Sequence, residues 1–466
     1  MPVDFQLTDL LACPRCDKTP ITREDSQYRC TGCKTEFPSL GDIPWMFAHP
    51  DSSLGEWRNR LHFELQKLAH EAQRLKAELI AEDQPALTRQ RLEAQMKAAE
   101  KHRTMLRQVL SPMDIQSAQA SYESHLAMRT RLPSDQGLHT YYANIHRDWA
   151  WGDEENAASL EEIRKVAHRD GEGDGSGDVD LGDVLVLGAG ACRLAYDLHM
   201  QLTLGKTVAL DFNPLLLLIA KSVMQGETPQ FYEFPLAPKS IDDYVVLRKL
   251  SAPDPVRDGF SFVLGDVLRP PFAKGVFDTV VTPWLIDIVN EDLPVQAARI
   301  NSLLREGGRW INFGSLAFDH PDRARRYSPE ETKIIVEQAG FTPPHAREET
   351  IPYMCSPSSR HGRRETVFTF SAAKIGDVDT PDRHKALPDW IVTGKEPVPV
   401  LPSFRTQALT TQVYSYIMSL IDGKRTIADM AKILEQQKLM TRKEAEPAIR
   451  NFLTRMYDDS QTKAAF

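Results

Sequence analysis

The stretch LVLGAGACRLAYD, residues 185–197, limits the possible folds of this 466-residue chain more than any other segment. It passes from an apolar strand pattern through a glycine turn into an amphipathic helix pattern. The small residues Gly188-Ala189-Gly190 allow the backbone to approach a ligand closely. A strand, a glycine turn and a helix in this order are typical of a nucleotide held at a helix N-terminus. The stretch therefore predicts an α/β domain that binds a nucleotide.

The rest of residues 181–374 supports this prediction, because apolar runs alternate there with helical patterns. The strand-like runs are DVLVLGAG, TVALDF, FSFVLGD, FDTVVTPWLID, GGRWINFGS and TVFTFSA. Such alternation is typical of a mainly parallel sheet covered by helices. We therefore expect a Rossmann-like core over residues 181–374.

Three further segments flank the predicted core. Residues 1–50 form a small segment that carries four of the six cysteines. Residues 52–170 are rich in charge and show helical spacing of apolar residues, which predicts a helical region that precedes the core. Residues 403–460 return to helical patterns after a proline-rich stretch, and we expect a separate C-terminal domain there.

The cysteines of the first segment occur as two C-x-x-C pairs, Cys13/Cys16 and Cys30/Cys33. This spacing places four thiolates around one tetrahedral zinc ion, as in a zinc ribbon, and leaves no coordination position open for a substrate. We therefore expect structural zinc, with four buried free cysteines as the alternative. A metal site and the lack of a signal-peptide pattern favour a reducing cytoplasm. LLACPRC, YRCTGC and EFPSLGDIPWM resemble the zinc-ribbon family that activates tRNA and protein methyltransferases, which implies a docking or stabilising module.

Acidic residues at the ends of later strands indicate which nucleotide is bound. Arg193 occupies the third glycine position of the dinucleotide fingerprint, which counts against a dehydrogenase that binds NAD. Asp211, Asp266 and Asp287 each follow a predicted strand. An acid after successive strands suits S-adenosylmethionine, which lies across the carboxyl ends of a sheet. The alternative for each residue is a helix cap or a turn.

Five segments between about residues 139 and 372 resemble the carnosine N-methyltransferase family. They read YYANIHRDWAWGDEEN, VLVLGAGACRLAYDL, PWLIDIVNEDL, GRWINFGSLAFDH and YSPEETKIIVEQAGF. The resemblance implies a class I methyltransferase fold, S-adenosylmethionine as cofactor and methylation of an imidazole nitrogen.

The resemblance also implies roles for individual residues. Six would bind the cofactor: Asn144, Arg147, Gly188, Gly190, Asp211 and Asp266. Among them, Asn144 and Arg147 would lie near the methionine part, Asp211 at the ribose and Asp266 at the adenine. Asp287 would face the substrate imidazole as a catalytic residue. A carboxylate that accepts from one ring N–H would orient the ring and stabilise the cationic product.

The sequence departs from the family pattern at two places beside the expected substrate site. Asp319 and His320 follow the WINFGSL segment with a shift of one residue, and we expect substrate contact from the first and catalysis from the second. Arg363 and Arg364 stand where the family has tyrosines, which favours an anionic group on the substrate. The alternatives are a surface histidine, a solvated strand end and, for Asp287, a helix cap.

The C-terminal segment around LIDGKRTIADMAKIL resembles the winged-helix peptide chaperone of pyrroloquinoline quinone biosynthesis. The resemblance implies a winged-helix-like domain that holds a leader peptide or protein partner along a strand edge. The alternative is an accessory domain for dimerisation or a lid.

These observations together predict an S-adenosylmethionine-dependent N-methyltransferase that acts on an imidazole of a small molecule or peptide. The alternatives are methylation of oxygen or another nitrogen in natural-product or peptide modification, and a non-catalytic scaffold. The net charge of −9 argues against broad nucleic-acid binding. No apolar run approaches the roughly 20 residues of a membrane span.

Overall fold

A computed structural model describes residues 6–25, 27–80, 84–115, 139–167, 180–320, 322–381 and 397–464. The chain divides into two compact units, Met1–Ala386 and Leu387–Phe466. None of the helices in the described ranges combines the length and the apolar character needed to cross a bilayer.

The first unit alternates helices and strands from residue 180 onward, as the sequence predicts. Its helices are α1 (Pro50–Ile80), α2 (Ala86–Val109), α3 (His139–His146), α4 (Asp153–Ala167), α5 (Arg193–Gln201), α6 (Pro214–Met224), α7 (Leu293–Leu303) and α8 (Pro329–Gln338). Its strands before residue 240 are β1 (Ile21–Glu24), β2 (Gln27–Cys30), β3 (Glu36–Phe37), β4 (Ser39–Leu40), β5 (Ile43–Met46), β6 (Val184–Leu187), β7 (Thr207–Asp211) and β8 (Gln230–Glu233). The later strands are β9 (Val246–Lys249), β10 (Phe260–Gly265), β11 (Phe277–Pro283), β12 (Leu304–Phe313), β13 (His345–Tyr353) and β14 (Arg363–Ala373). A π-helical turn, Arg147–Trp151, joins α3 to α4.

Nine strands form the central sheet, in the order β13-β14-β12-β11-β6-β7-β10-β5-β4. Strands β12, β11, β6, β7 and β10 run parallel, whereas β14 is antiparallel to both of its neighbours. Strands β7 and β10 lie on one side of β6, and β11 and β12 lie on the other. The strand order therefore reverses at β6, and sheets of this kind bind ligands at the carboxyl ends of the strands at such a switch point. The predicted Rossmann-like sheet is confirmed, and each of the six predicted strand runs forms a strand of it.

The N-terminal segment extends this sheet beyond the predicted core. Strands β1, β2 and β3 form a small antiparallel sheet around the cysteine pairs. Strand β5 then pairs in parallel with β10, so that Trp45 lies opposite Leu264 and Met46 opposite Gly265. Both Trp45 and Met46 are fully buried. Residues of this segment therefore pack into the hydrophobic core of the central sheet.

The second unit consists of helices in its described part: α9 (Pro402–Ser419), α10 (Ile427–Gln436) and α11 (Arg442–Ala464). Thr426 and Asp429 form a capping box at the start of α10. Ile417, Leu434 and Ile449 are the buried centre of the three helices. Residues 397–464 contain no strand, although a winged helix and a strand edge for a peptide both require one. The winged-helix interpretation is not confirmed and stays a prediction.

Candidate active site

A cavity of about 1360 Å³ opens at the carboxyl ends of the central strands. It exceeds the roughly 300–1,000 Å³ of a pocket for one small ligand, so it has room for a cofactor and an acceptor together. Ten of the sequence-predicted site residues line it: Asn144, Arg147, Gly188, Gly190, Asp211, Asp266, Asp287, Asp319, His320 and Arg363. The fold thus brings together residues that are more than 200 positions apart in the chain.

The glycine turn after β6 forms the floor of the cavity. Gly188 and Gly190 adopt φ values of 70° and 60°, in the left-handed region that favours glycine. A Cβ on Gly188 would lie 2.7 Å from the Cδ1 atom of Leu285. A Cβ on Gly190 would meet no protein atom within 4 Å. The backbone at Gly190 is therefore open to a ligand, as expected where a nucleotide passes close to the main chain.

Asp211 at the end of β7 is tied to this turn. Its Oδ2 accepts a hydrogen bond of 2.8 Å from the backbone N–H of Gly190, and its Oδ1 accepts one of 2.8 Å from Asn213. Burial raises the pKa of Asp211 to about 6, against the lowering effect of these amides. A carboxylate has about four acceptor positions, so the two oxygens can still accept from ribose hydroxyls. At the end of β10, Asp266 accepts a hydrogen bond of 2.9 Å from Leu268 N–H.

The RDW segment holds the glycine turn from the other side. The indole N–H of Trp149 donates to the carbonyl of Ala191 at 2.7 Å, and Asp148 accepts from the N–H of Arg193 at 3.3 Å. The Arg193 side chain pairs with Asp197 at 3.0 Å and lies over the Trp149 ring. Arg193 therefore packs against the RDW segment, which explains why an arginine replaces the third glycine of the dinucleotide fingerprint.

Arg147 belongs to a buried ion-pair network at the cavity wall. Its guanidinium lies 2.7 Å from Asp148 and 3.3 Å from Glu155. Burial opposes the charge, but the two carboxylates raise the pKa of Arg147 above its ordinary value. The second Glu155 oxygen accepts a hydrogen bond of 2.7 Å from Met354 N–H. Glu155 thereby links Arg147 to the residue that follows strand β13, and no sequence motif predicts this contact.

Asp287 lies in the turn after β11 and is 9% exposed. Its Oδ2 accepts hydrogen bonds from the Ser315 hydroxyl at 3.0 Å and from Ala317 N–H at 2.9 Å. Its Oδ1 is buried without a hydrogen-bond partner among the described residues. Burial raises the pKa of Asp287, although both donors on Oδ2 counteract the rise. The side chain is thus held at one oxygen and unsatisfied at the other, beside the cavity.

Aromatic rings surround this part of the cavity. The Trp284 ring lies 4.6 Å from the Tyr353 ring and 5.6 Å from the Phe313 ring. The Arg363 guanidinium lies 4.6 Å over Tyr353 and pairs with Glu365 at 2.7 Å. Tyr353 is the register partner of Arg363 on β13. Tyr353 of the neighbouring strand therefore lies beside Arg363, which occupies a position where the family has a tyrosine. The sequence alone did not predict this placement of Tyr353.

The remaining predicted residues differ in their access to the cavity. The backbone N–H of Asp322 donates to His320 Nδ1 at 3.0 Å, and the same ring nitrogen lies 3.3 Å from the Asp322 carbonyl oxygen. Asp319 is exposed at the rim. Arg364 points away from the cavity, because neighbouring residues of a strand face opposite sides, and it donates to the Thr350 carbonyl.

The four cysteines form a cluster outside this cavity. Their Sγ atoms all lie within 4.8 Å of one another. The Cys13–Cys33 distance is 3.6 Å and the Cys16–Cys30 distance is 3.5 Å. Tetrahedral zinc with Zn–S bonds of about 2.3 Å separates its sulfur ligands by roughly 3.8 Å. The cluster therefore has the donor set and the dimensions of a closed zinc site.

The strand order, the glycine turn and the acids at the carboxyl edge define the class of protein, a Rossmann-like methyltransferase. The family model described as carnosine N-methyltransferase matches residues 127–360, half of the chain. The chain therefore belongs to the carnosine N-methyltransferase family and is an S-adenosylmethionine-dependent methyltransferase. No curated protein sequence matches it.

Several solved structures are similar to part of the chain. A Thermotoga maritima methyltransferase described as a possible histamine N-methyltransferase has 14% identity and a TM-score of 0.31, over 51% of this chain and 96% of that one. Phosphoethanolamine N-methyltransferase 2 of Haemonchus contortus has 14% identity and a TM-score of 0.33, over 55% and 60%. A chain from the Haloferax volcanii complex of a methyltransferase with the Trm112 activator has 15% identity and a TM-score of 0.31, over 50% and 95%.

The raised pKa of Asp211 predicts a pH dependence for cofactor binding. Below about pH 6 the buried carboxyl becomes protonated, and hydroxyl donors bind the charged form more strongly. We expect the Kd of S-adenosylhomocysteine, measured by calorimetry, to be about threefold higher at pH 5.5 than at pH 7.5. The Asp211→Asn variant should bind more weakly with a flat profile. An equal pH effect in the variant would contradict the assignment.

Proposed function

We propose that the protein transfers the methyl group of S-adenosylmethionine to a ring nitrogen of an imidazole in a small molecule or peptide. The observation that carries this proposal is the buried Oδ1 atom of Asp287, which lacks a hydrogen-bond partner among the described residues. A buried polar atom that is left unsatisfied costs about 1–3 kcal/mol. An N–H donor of the acceptor would satisfy it.

For the cofactor, we propose the six residues implied by the family resemblance: Asn144, Arg147, Gly188, Gly190, Asp211 and Asp266. The cofactor supplies an electrophilic methyl on a sulfonium. More acidic than basic side chains line the cavity, and this excess of negative charge favours the binding of a cationic sulfonium. The open backbone at Gly190 and the remaining acceptor positions of Asp211 fit the nucleoside. The task of the chain is to align the two reactants and exclude water.

For the acceptor, we propose that Asp287 accepts a hydrogen bond from one imidazole nitrogen while the other attacks the methyl group. A neutral imidazole, with a pKa near 6.5, needs no prior loss of a proton to attack. The ring becomes cationic as the new bond forms, so its hydrogen bond to the carboxylate strengthens in the transition state. Ser315 and Ala317 hold the other oxygen of Asp287 in place. Trp284 and Tyr353 supply an apolar surface for a flat ring.

An oxygen acceptor is the alternative at this site. An alcohol or phenol must lose a proton as it is methylated, which requires a general base beside it. Asp287 and His320 both line the cavity, so either side chain is in place to serve as that base. For the imidazole acceptor, we propose that His320 forms a hydrogen bond with the acceptor molecule, with Asp319 at the rim.

The Asp287→Asn variant tests the proposed role of the carboxylate. We expect kcat for an imidazole acceptor to fall by about 10²- to 10⁴-fold, because the variant cannot stabilise the cationic ring. The Kd of S-adenosylhomocysteine should change less than twofold. Asp242→Asn, at an exposed site outside the cavity, is the matched control. Equal losses of turnover and cofactor binding would make Asp287 a structural residue.

We further propose that the acceptor carries an anionic group that Arg363 recognises. The Arg363 side chain is 60% exposed and lines the cavity, so it can leave Glu365 and pair with a substrate carboxylate. Arg364 has the same charge on the same strand but faces away from the cavity. Arg364 is therefore the matched control for a substitution of Arg363.

Replacing each arginine with alanine should separate the two positions. We expect Arg363→Ala to raise KM for a carboxylate-bearing imidazole by about tenfold, because one charge-assisted hydrogen bond contributes roughly 1.5 kcal/mol. Arg364→Ala should leave KM unchanged. An imidazole without a carboxylate should show no difference between the two variants. Equal KM values for the charged acceptor in both variants would exclude recognition by Arg363.

For residues 1–50, we propose a structural zinc site held by Cys13, Cys16, Cys30 and Cys33. The thiolate set and the sulfur–sulfur distances support it. All six cysteines are free of disulfides, which fits a protein of the reducing cytoplasm.

Metal analysis of the purified protein tests the zinc site. We expect one zinc per chain by mass spectrometry, since each pair supplies two of the four ligands. Cys16→Ser should lose the metal and unfold at a lower temperature, because structural zinc contributes directly to folding. Cys355→Ser, at an exposed cysteine outside the cluster, should keep both the metal and the Tm. A metal-free wild-type protein with an unchanged Tm would refute the site.

A further inference from the structure

We propose that helix α1, which lies before the family-matched residues 127–360, completes the cofactor site and that Trp57 forms part of the aromatic wall against which the adenine ring packs. This inference rests on the cofactor site proposed above and adds a residue to it. The cavity lining contributed by the N-terminal segment consists of Phe47, Ser53, Glu56, Trp57 and Arg60. The family model does not cover this segment, yet the segment forms one wall of the cavity.

The position of α1 follows from the pairing of β5 at the edge of the sheet. Strand β5 pairs with β10, whose last residue is followed by Asp266. The chain then passes through Phe47 and enters α1 at Pro50. The indole N–H of Trp45 donates to Ser53 Oγ at 2.8 Å, which fixes the first turn of α1 to the strand. The first turns of α1 are thus anchored to the half of the sheet that contains β7 and β10.

This half of the sheet is the adenosine side of the proposed site. The glycine turn follows β6, which lies at the centre of the strand order. Asp211 ends β7 and Asp266 follows β10, both on one side of β6, whereas Asp287 follows β11 on the other side. The Trp57 ring lies 5.8 Å from the ring of Phe212, the residue after Asp211. Trp57 therefore lies near the residues proposed to bind the ribose and the adenine. It is on the side of β6 opposite to Asp287 and the proposed acceptor site.

The rings at this wall suit a flat heterocycle. Tyr141 on α3 lies 6.3 Å from the same Phe212 ring, so three aromatic side chains converge there. The Arg60 guanidinium lies over the Trp57 ring, 5.5 Å from the ring centroid, and pairs with Glu56 at 2.7 Å, which restrains the indole. Aromatic side chains stack on nucleic acid bases with a contribution that is independent of base-specific hydrogen bonds.

Titration of the full-length protein with S-adenosylhomocysteine tests the inference. We expect Trp57→Leu, which keeps apolar bulk but loses the aromatic ring, to raise the Kd about tenfold. Trp57→Phe should restore most of the affinity. Phe63→Leu, at a residue of the same helix that is 68% exposed, is the control and should bind like the wild type. KM for the methyl acceptor at saturating cofactor should not change in any of the three variants.

Hydrogen exchange on the wild-type protein provides a second measurement that does not depend on a variant. We expect S-adenosylhomocysteine to slow amide exchange in residues 53–60. Unchanged exchange there, or equal Kd values for folded Trp57→Leu and wild type, would overturn the role of α1. A wild-type protein that binds no S-adenosylhomocysteine would instead refute the cofactor site itself, so the two failures are distinguishable.

Discussion

The hydrogen bond from the Gly190 amide to Asp211 is the interaction on which the rest of the site depends. It joins the turn after β6 to the end of the neighbouring strand β7 and therefore sets the shape of the switch point. The turn needs glycine, because two of its residues adopt left-handed φ values. Trp149 holds the same turn through the Ala191 carbonyl. The carboxylate is kept in place by backbone donors, although its burial raises its pKa.

The two halves of the cavity are lined by different kinds of chemical group. On the side of β7 and β10, backbone amides and aromatic rings line the part of the cavity proposed to hold the nucleoside. On the side of β11 and β14, Asp287, Trp284, Tyr353 and the Arg363–Glu365 pair line the part where the proposed acceptor ring would become charged. Arg147 and Glu155 connect the halves through the buried network that reaches Met354.

The sequence predicts the parts of the structure that depend on local pattern. The continuous apolar runs of buried parallel strands, the glycine turn and the spacing of the cysteine pairs each have a distinct pattern, and each is present in the fold. Strand β13 has no such pattern, because it is a polar edge strand with one buried residue, so Tyr353 could not be foreseen. The difference between Arg363 and Arg364 depends on strand register, which a dipeptide does not reveal. The wall formed by α1 depends on the pairing of β5 with β10, a contact between residues more than 200 positions apart.

The measurement that tests the central claim most directly is the position of the methyl group in the product. The purified protein is supplied with S-adenosylmethionine that carries a ¹³C-labelled methyl group and with imidazole, amine and hydroxyl acceptors of comparable size. Nuclear magnetic resonance then identifies the atom that carries the label. We expect a label on an imidazole ring nitrogen, with turnover that requires the Asp287 carboxylate. A label on an oxygen or on an amine nitrogen, with the imidazoles left unmodified, would contradict it.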